Sequence, residues 1–312
     1  MLAALVLQAQ GIEVTGLVWV TPFFGEARAR ESAEAIDLPI RVEDLTDRYL
    51  HLLYEPPHGL GKWMNPCIDC HVLMLREAGK IMAEEGNDFL FTGEVVGQRP
   101  FSQNKGSLNL IVKESGYGEV LLRPLSAKLL KTTRPEREGL VDREKLLNIS
   151  GRGRKRQMEL AAQFKIPSYP APAGGCLLTN PGYSARVRDL VGQRSLAELT
   201  RRELEMLSWG RHFRLYPAMK VIVGRDQRDN EALETLVRPG DVVLKADFYP
   251  GPLVIVPQAP AGADLALAAS LCASYSDAPL GEPVNVLMEG PAGSTIIHSR
   301  REPREVFQEL LI

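Results

Sequence analysis

The sequence predicts an α/β architecture with a doubly wound parallel sheet, followed by a second, smaller α+β domain. Three observations predict it. Apolar-periodic and β-branched segments alternate through the first half of the chain. A strand-like run over 88–91 leads straight into Thr92-Gly93, the kind of strand end where open parallel sheets bind ligands. After Trp209-Gly210 the texture changes to short strands at close intervals. The expected division is a first domain over 1–190, a helical linker over 191–210 and a second domain over 211–312.

The elements justify that reading in order. Leu2 to Ala9 reads as a helix closed by Gly11, and Ile12 to Val20 as a buried strand. Pro22 and Gly25 break it, Ala27 to Ala35 is helical, Leu38 to Val42 extended and Asp44 to Tyr54 helical again. A helix follows Cys70, then the 88–91 strand, a helix over Ser107 to Lys113 and a strand over Val120 to Leu122. Arg154 to Lys165 reads as a helix stopped by Pro167, and Pro170, Pro172, Gly174 and Gly175 give a stiff approach to Cys176. Helices are expected at 184–190 and 195–207. The second domain reads as strands at 218–223, 241–246, 252–256, 284–288 and 294–297, with helices at 230–236 and 263–275. Doubly wound folds usually begin with a central strand whose turn into the first helix holds phosphates. Here the first helix comes without one, so that strand is expected just before Met1.

Composition excludes several classes. The 312 residues are 45% hydrophobic, enough for two ordinary cores without disulfide staples. Four cysteines in such a chain fit a reduced, cytoplasmic setting better than a secreted framework. No run reaches the ~18 apolar residues that cross a bilayer, and Met1 to Leu7 has no basic leader of a signal peptide. The net charge of −2 is unevenly distributed. Between Arg123 and Lys165 twelve Lys and Arg face five Asp and Glu, an excess of seven positive charges that leaves −9 for the remainder. Lys128, Lys131 and the run Arg152, Arg154, Lys155 and Arg156, interleaved with glycine, suit a phosphate backbone.

The chemistry centres on Asn65-Pro66-Cys67-Ile68-Asp69-Cys70-His71. Two thiols at a turn into a helix N-terminus sit where the dipole favours thiolate. Cys176, flanked by a glycine pair, is expected to join Cys67 and Cys70 in one site, whereas Cys272 reads as a small core residue. Three thiols permit three readings. They could be ligands of a zinc that lacks its fourth, a CxxC redox pair with Cys176 unrelated, or holders of a [4Fe–4S] cluster with one iron open.

The segments Asn65 to His71, Thr92 to Gln103 (TGEVVGQRPFSQ) and Gly174 to Thr179 (GGCLLT) together resemble the PP-loop ATPase domain of tRNA sulfurtransferases, an adenine nucleotide alpha-hydrolase-like fold. The likeness covers Met1 to Leu190 and is nearest to 4-thiouridine synthases of the ThiI type, with tRNA 2-thiouridylases also similar. It implies ATP-dependent tRNA thiolation: a uridine is adenylated, then sulfur displaces AMP. By the resemblance Cys70 and Cys176 handle sulfur, Cys67 completes a three-cysteine cluster site, and Thr92, Gly93, Glu94, Gly97 and Gln98 line the nucleotide. ATP, Mg²⁺, a [4Fe–4S] cluster or zinc, tRNA and a persulfide or sulfide donor are the implied cofactors and partners; a homodimer is a further possibility. The family's Ser-Gly-Gly-x-Asp-Ser phosphate loop is absent, so a non-catalytic RNA-binding relative and an adenylating enzyme for a small molecule stay open. Residues 224–230, 245–256 and the Ala-rich helix near Ser270 faintly resemble the RNA-binding domain of the NFACT family.

Overall fold

The computed structural model describes residues 1–169, 175–193, 198–216, 219–260 and 264–312. The expected proline-rich approach to Cys176, apart from Gly175, and parts of the helices predicted at 195–207 and 263–275 lie outside them. The chain divides into two units, Met1–Thr179 and Asn180–Ile312. The stretch expected as a linker thus belongs with the second unit, because its helices pack there.

In the first unit, α1 (Leu2–Gln8), β1 (Gly16–Val20), α2 (Ala27–Glu34), β2 (Ile40–Asp44) and α3 (Thr46–Tyr54) follow the predicted alternation. The long α4 (Cys67–Glu85), β3 (Leu90–Phe91), α5 (Lys105–Ser115), β4 (Leu121–Leu122), the short α6 (Arg134–Arg137) and α7 (Lys155–Gln163) complete it. β1 pairs with β2 in parallel from Gly16↔Ile40 to Val20↔Asp44, and β3 pairs with β4 in parallel. Parallel pairs need long crossovers, and here helices supply them. The two pairs are separate two-stranded sheets, not one continuous sheet. Residues 12–15, expected as strand, stay outside because pairing begins at Gly16, whose amide donates to the Pro39 carbonyl at 2.8 Å.

The first core has two parts. α1 buries Ala3, Val6 and Leu7 against Val95, Leu122, Leu125 and Ile149. α4 buries Ile68, Val72 and Leu75 against Ile111 of α5 and Leu121 of β4. α5 starts on Asn104, whose side-chain oxygen accepts from the Ser107 amide at 2.9 Å, satisfying one of the open donors of a helix start.

The second unit holds α8 (Pro181–Gln193), α9 (Arg201–Met206), β5 (Arg211–Tyr216), β6 (Met219–Val223) and α10 (Gln227–Leu236). Then come β7 (Val242–Ala246), β8 (Val254–Val256), α11 (Ala266–Tyr275), β9 (Pro283–Gly290) and β10 (Gly293–Arg300). Its six strands form one antiparallel sheet in the order β10-β9-β7-β8-β6-β5. β5 went unread in the sequence because Arg211, His212 and Arg214 break its apolar pattern; His212 is fully buried and bonded to the Trp209 carbonyl. Ala268, Ala269, Leu271 and Cys272 of α11 pack into the sheet core, where burial pushes the Cys272 thiol up to about 12. Leu233 of α10 and Met206 of α9 join Ile222 and Ile255 in a second cluster. Asp189 anchors β5 and β6 to α8, accepting from Arg214 at 2.6 and 3.0 Å and from Lys220 at 3.1 Å. No helix among the described residues is long and apolar enough to cross a membrane.

Candidate thiol site, strand end and basic segment

The loop before α4 is built to present Cys67 and Cys70. The Asn65 carbonyl accepts from the Gly61 amide at 2.9 Å, while its side-chain oxygen accepts from Trp63. That fixes the Asn65 amide so that Nδ2 donates to Cys67 Sγ at 3.2 Å. Asp69, in the first turn where a negative charge is favoured, accepts from the His58 amide at 3.1 Å and meets His58 Nδ1 at 2.6 Å. Cys67 is half-buried and Cys70 is buried.

Cys176 is brought to them by β1 and α3. The Leu177 amide donates to the Phe23 carbonyl at 2.8 Å, just past β1, and Thr179 closes a turn on the Cys176 carbonyl. Phe23 and Phe24 both pack on Tyr49 of α3, with ring centroids 5.5 and 5.6 Å away. The Tyr49 side chain is hydrogen-bonded to Cys70. Burial raises the Tyr49 hydroxyl, and Cys70, Cys176 and Cys67 are near enough that their charges add to that rise and oppose one another. Sequence reasoning missed Tyr49, which reads as an ordinary apolar position on an amphipathic helix; only the fold makes it a neighbour of three thiols.

One expectation is corrected here. A helix N-terminus was expected to favour thiolate, yet burial, then the charges of Cys176 and Cys67, push Cys70 far up. Burial raises Cys176 to about 11, against the opposing pull of the Leu178 amide and Arg99. Desolvation outweighs the dipole. Three gathered thiols are the donor set that zinc or an iron–sulfur cluster takes, so they fit such a group in kind. Among the described residues no three Cys, His, Asp or Glu side chains are already closed on one point.

At the strand end, the Thr92 amide continues the β3–β4 pairing to the Leu122 carbonyl at 3.0 Å. Glu94 turns inward. It accepts from Arg123 Nε at 2.8 Å and Thr92 Oγ1 at 3.0 Å, and its other oxygen meets His71 Nδ1 at 2.9 Å. Burial opposes its charge, but the His71 bond and the Arg123 guanidinium win and hold it down at about 2. Glu94 is therefore a buried hub joining α4, β3 and the end of β4, while Gly93 is exposed and Thr92, Gly97 and Gln98 are half-buried. Arg123 Nη2 and Gln103 Oε1 are buried without a hydrogen-bond partner. Gly97 sits at φ +77°, a conformation glycine adopts freely, and its amide donates to the Gln103 carbonyl at 2.7 Å.

The basic segment is fastened to this loop. The Gly151 amide donates to the Val96 carbonyl at 2.8 Å, and Ser126 links the Val96 amide to the Ile149 carbonyl. Several expected phosphate binders are partly occupied: Lys128 pairs with Glu144 at 3.2 Å and Arg156 with Glu159 at 3.4 Å. Lys131, Arg152 and Lys155 are exposed, and Arg154 lies over the Tyr169 ring at 5.9 Å; among the described residues none of these four has a salt bridge.

In the second unit, Phe248 follows β7 with φ +65° and an 89% exposed ring. A bulky residue in that backbone region is an outlier that invites a functional reading.

The chain thus has a first unit of helices and two parallel strand pairs that carries Cys67, Cys70 and Cys176, and a second unit built on an antiparallel sheet. Comparison with known proteins identifies part of the second: a model of the NFACT protein RNA binding domain matches residues 210–309. No curated protein matches the chain. Seven chains of known structure match, among them the C-terminal part of the fibronectin/fibrinogen-binding protein from Streptococcus suis. That likeness has 17% identity and a TM-score of 0.28, covering 78% of this chain and 94% of that one, and no reading rests on it.

Proposed function

We propose that this protein binds RNA through its second unit and thiolates it at the thiol site of the first. The observation that carries the proposal is the gathering of Cys67, Cys70 and Cys176 around Tyr49 in a chain that also has an RNA-binding-domain match. The family match supports RNA as partner; tRNA as the substrate comes from the motif resemblance.

The implied reaction starts when a uridine carbonyl oxygen attacks the α-phosphorus of ATP and pyrophosphate leaves. Sulfur carried as a persulfide on Cys176 or Cys70 then attacks the activated carbon, and AMP departs with the former carbonyl oxygen. The other cysteine cleaves the sulfur–sulfur bond, releasing the thiouridine and leaving a Cys70–Cys176 disulfide for an external dithiol to reduce. Each attack needs a thiolate. The hydrogen bond between Tyr49 and Cys70 favours the charged form there, and the Asn65 amide aims at Cys67 Sγ. In place of that persulfide route, Cys67, Cys70 and Cys176 would hold a bound metal or cluster, whose positive charge would keep the three thiols deprotonated. The strand-end residues Thr92, Gly93, Gly97 and Gln98 would meet the nucleotide, with Glu94 positioning His71 and Arg123 behind them. The Phe248 ring offers a face for base stacking.

Anaerobic incubation with tRNA, ATP and a persulfide donor, followed by nucleoside mass spectrometry, tests this. Thiouridine should form and vanish in Cys70→Ala and Cys176→Ala, while both variants keep RNA binding that weakens with salt. The family match by itself favours a second reading, RNA binding without catalysis. Salt-sensitive binding with no thiouridine and no pyrophosphate release selects it.

A further inference from the structure

Antiparallel pairing sends the connections of the second unit's sheet to two opposite ends, and one end gathers arginines and aromatic rings. Arg211 opens β5 opposite Val223, which closes β6, and Val223 in turn pairs with Val254 at the start of β8. β7 ends at Ala246 beside Val286, and β9 begins at Pro283 opposite Arg300 at the close of β10. The C-terminal end of α11 is fastened here. The Asp277 amide donates to the Pro250 carbonyl at 2.8 Å, and the Glu302 amide to Ser274 Oγ at 2.9 Å. α10 starts at the same end, because only Gly224, Arg225 and Asp226 separate it from β6.

Two rings at this end carry guanidinium groups. Arg211 and Arg304 both lie over Tyr275, their Cζ atoms 5.1 and 4.8 Å from the ring centroid, and Arg228 lies over Trp209 at 5.6 Å. A guanidinium on a ring face is held by the π surface and keeps its planar N–H fork for another partner. Arg304 Nε also reaches the Ser274 carbonyl at 3.4 Å, which fixes the group without neutralising it. Among the described residues none of the three arginines has a salt bridge, whereas Arg225 at the same end is paired with Asp229 and serves the fold. Arg228 and Arg304 are exposed and Arg211 is half-buried. Phe248, on the connection from β7 to β8, adds its bare ring.

Charge decides which ligand fits. Segments 209–211, 224–228, 247–253, 276–283 and 300–304 at this end hold six arginines and five carboxylates. That near-balance gives little long-range field for a rigid duplex, whose grip is mainly electrostatic. Free guanidiniums set among rings suit a single strand instead, because its bases stack on π faces while a few phosphates meet cations. The five inter-strand steps from β10 to β5, at about 4.8 Å each, span about 24 Å. Single-strand binders of this size hold short segments, from about four nucleotides upward.

We propose that this end of the second unit is a binding surface for single-stranded RNA, with Arg211, Arg228 and Arg304 meeting phosphates and Phe248 stacking a base. Tyr275 and Trp209 are positioning residues that aim the guanidiniums. The surface deepens the RNA-binding reading above and rests on it, and it does not depend on thiolation.

The test uses the full chain and a fluorescent oligouridine of about twelve nucleotides, within the range such surfaces hold, read by anisotropy across a salt series. Arg211→Gln combined with Arg304→Gln should weaken binding at least about tenfold, as loss of charged hydrogen bonds does. The salt slope should fall by about 1.4, roughly 0.7 for each lost phosphate contact. Ultraviolet crosslinking of the unaltered chain, followed by peptide mass spectrometry, gives a readout free of any folding defect in the variant. Its crosslinks should fall on the peptides that hold Trp209, Phe248 and Tyr275. Crosslinks confined to other peptides, or equal competition by duplex RNA of the same length, overturn the proposal. Loss of binding in Arg152→Gln with Lys155→Gln, but not in the Arg211 and Arg304 variant, places the RNA on the first unit and overturns it while RNA binding itself stands. Binding of neither the oligouridine nor tRNA ends the RNA-binding reading, and this surface with it.

Discussion

The two units arrange their strands in opposite ways. The second joins six antiparallel strands into one sheet with β10 and β5 at its ends, and α11 fills its core with Ala268, Ala269 and Leu271. The first has two parallel pairs facing a cleft, and its strand end is organised by a buried carboxylate, Glu94. A continuous sheet derives its order from main-chain pairing and apolar burial. A divided one depends more heavily on a few polar anchors. The first unit should accordingly be the more sensitive to single polar changes, and the second to changes in its apolar layer.

Removing the anchor should give the largest effect. Glu94→Gln leaves Arg123 buried without its counter-charge, for which a loss of about 3–5 kcal/mol is expected. Urea unfolding followed by hydrogen exchange should place that loss in 1–179 and leave 180–312 unchanged; an equal loss in both would break the contrast. The pH responses should have the same sign but fall in different windows. Glu94 ionises near 2 in the folded chain against 4.5 unfolded, so its stabilisation is complete above about 4.5 and fades as pH falls toward 2. That is on the order of 3 kcal/mol in the first unit. In the second, burial lowers Lys220 to about 8 against the opposing pull of Asp189. Its protonated form is disfavoured by folding, so that unit gains stability as pH rises from about 8 to 10.5. Exchange-resolved stability measured across pH checks both windows, rising in the first unit from about 2 to 4.5 and in the second from about 8 to 10.5.

Phe248→Ala sharpens the comparison on the functional side. An exposed ring contributes little to folding, so stability should hold while RNA affinity falls by about 1–3 kcal/mol, read by fluorescence anisotropy. The smallest effect belongs to Tyr49→Phe, which removes one hydrogen bond to Cys70 at about 1 kcal/mol. Its more specific sign is at the thiols: alkylation of Cys70 in metal-free protein, already slow near neutral pH, should slow further because the thiolate loses a donor.

What the sequence disclosed follows from range. The alternation of α1 to β3 was legible because each element has its own periodicity, while the expectation that Cys176 joins Cys67 and Cys70 came from its glycine flank and the motif resemblance. Cys272 was readable as core from its Ala-rich helix. Three features were not. Glu94 looks like an open strand-end carboxylate until Arg123, 29 positions later, folds onto it. Tyr49 gains its role only when Phe23 and Leu177 bring in a distant cysteine. β5 hides because His212 and Arg214 spend their polarity on the Trp209 carbonyl and Asp189 rather than on solvent. Each depends on a partner that local pattern does not encode.

The bond between His71 and Glu94 has a consequence beyond positioning. His71 directly follows Cys70 on α4, and Glu94 directly follows Gly93 at the strand end, so one contact spans both chemical stations. Coupling through it obeys thermodynamic reciprocity. If filling the thiol site tightens a nucleotide at the strand end by some factor, the nucleotide tightens the thiol site's occupant by that same factor, and either ligand reports on the other.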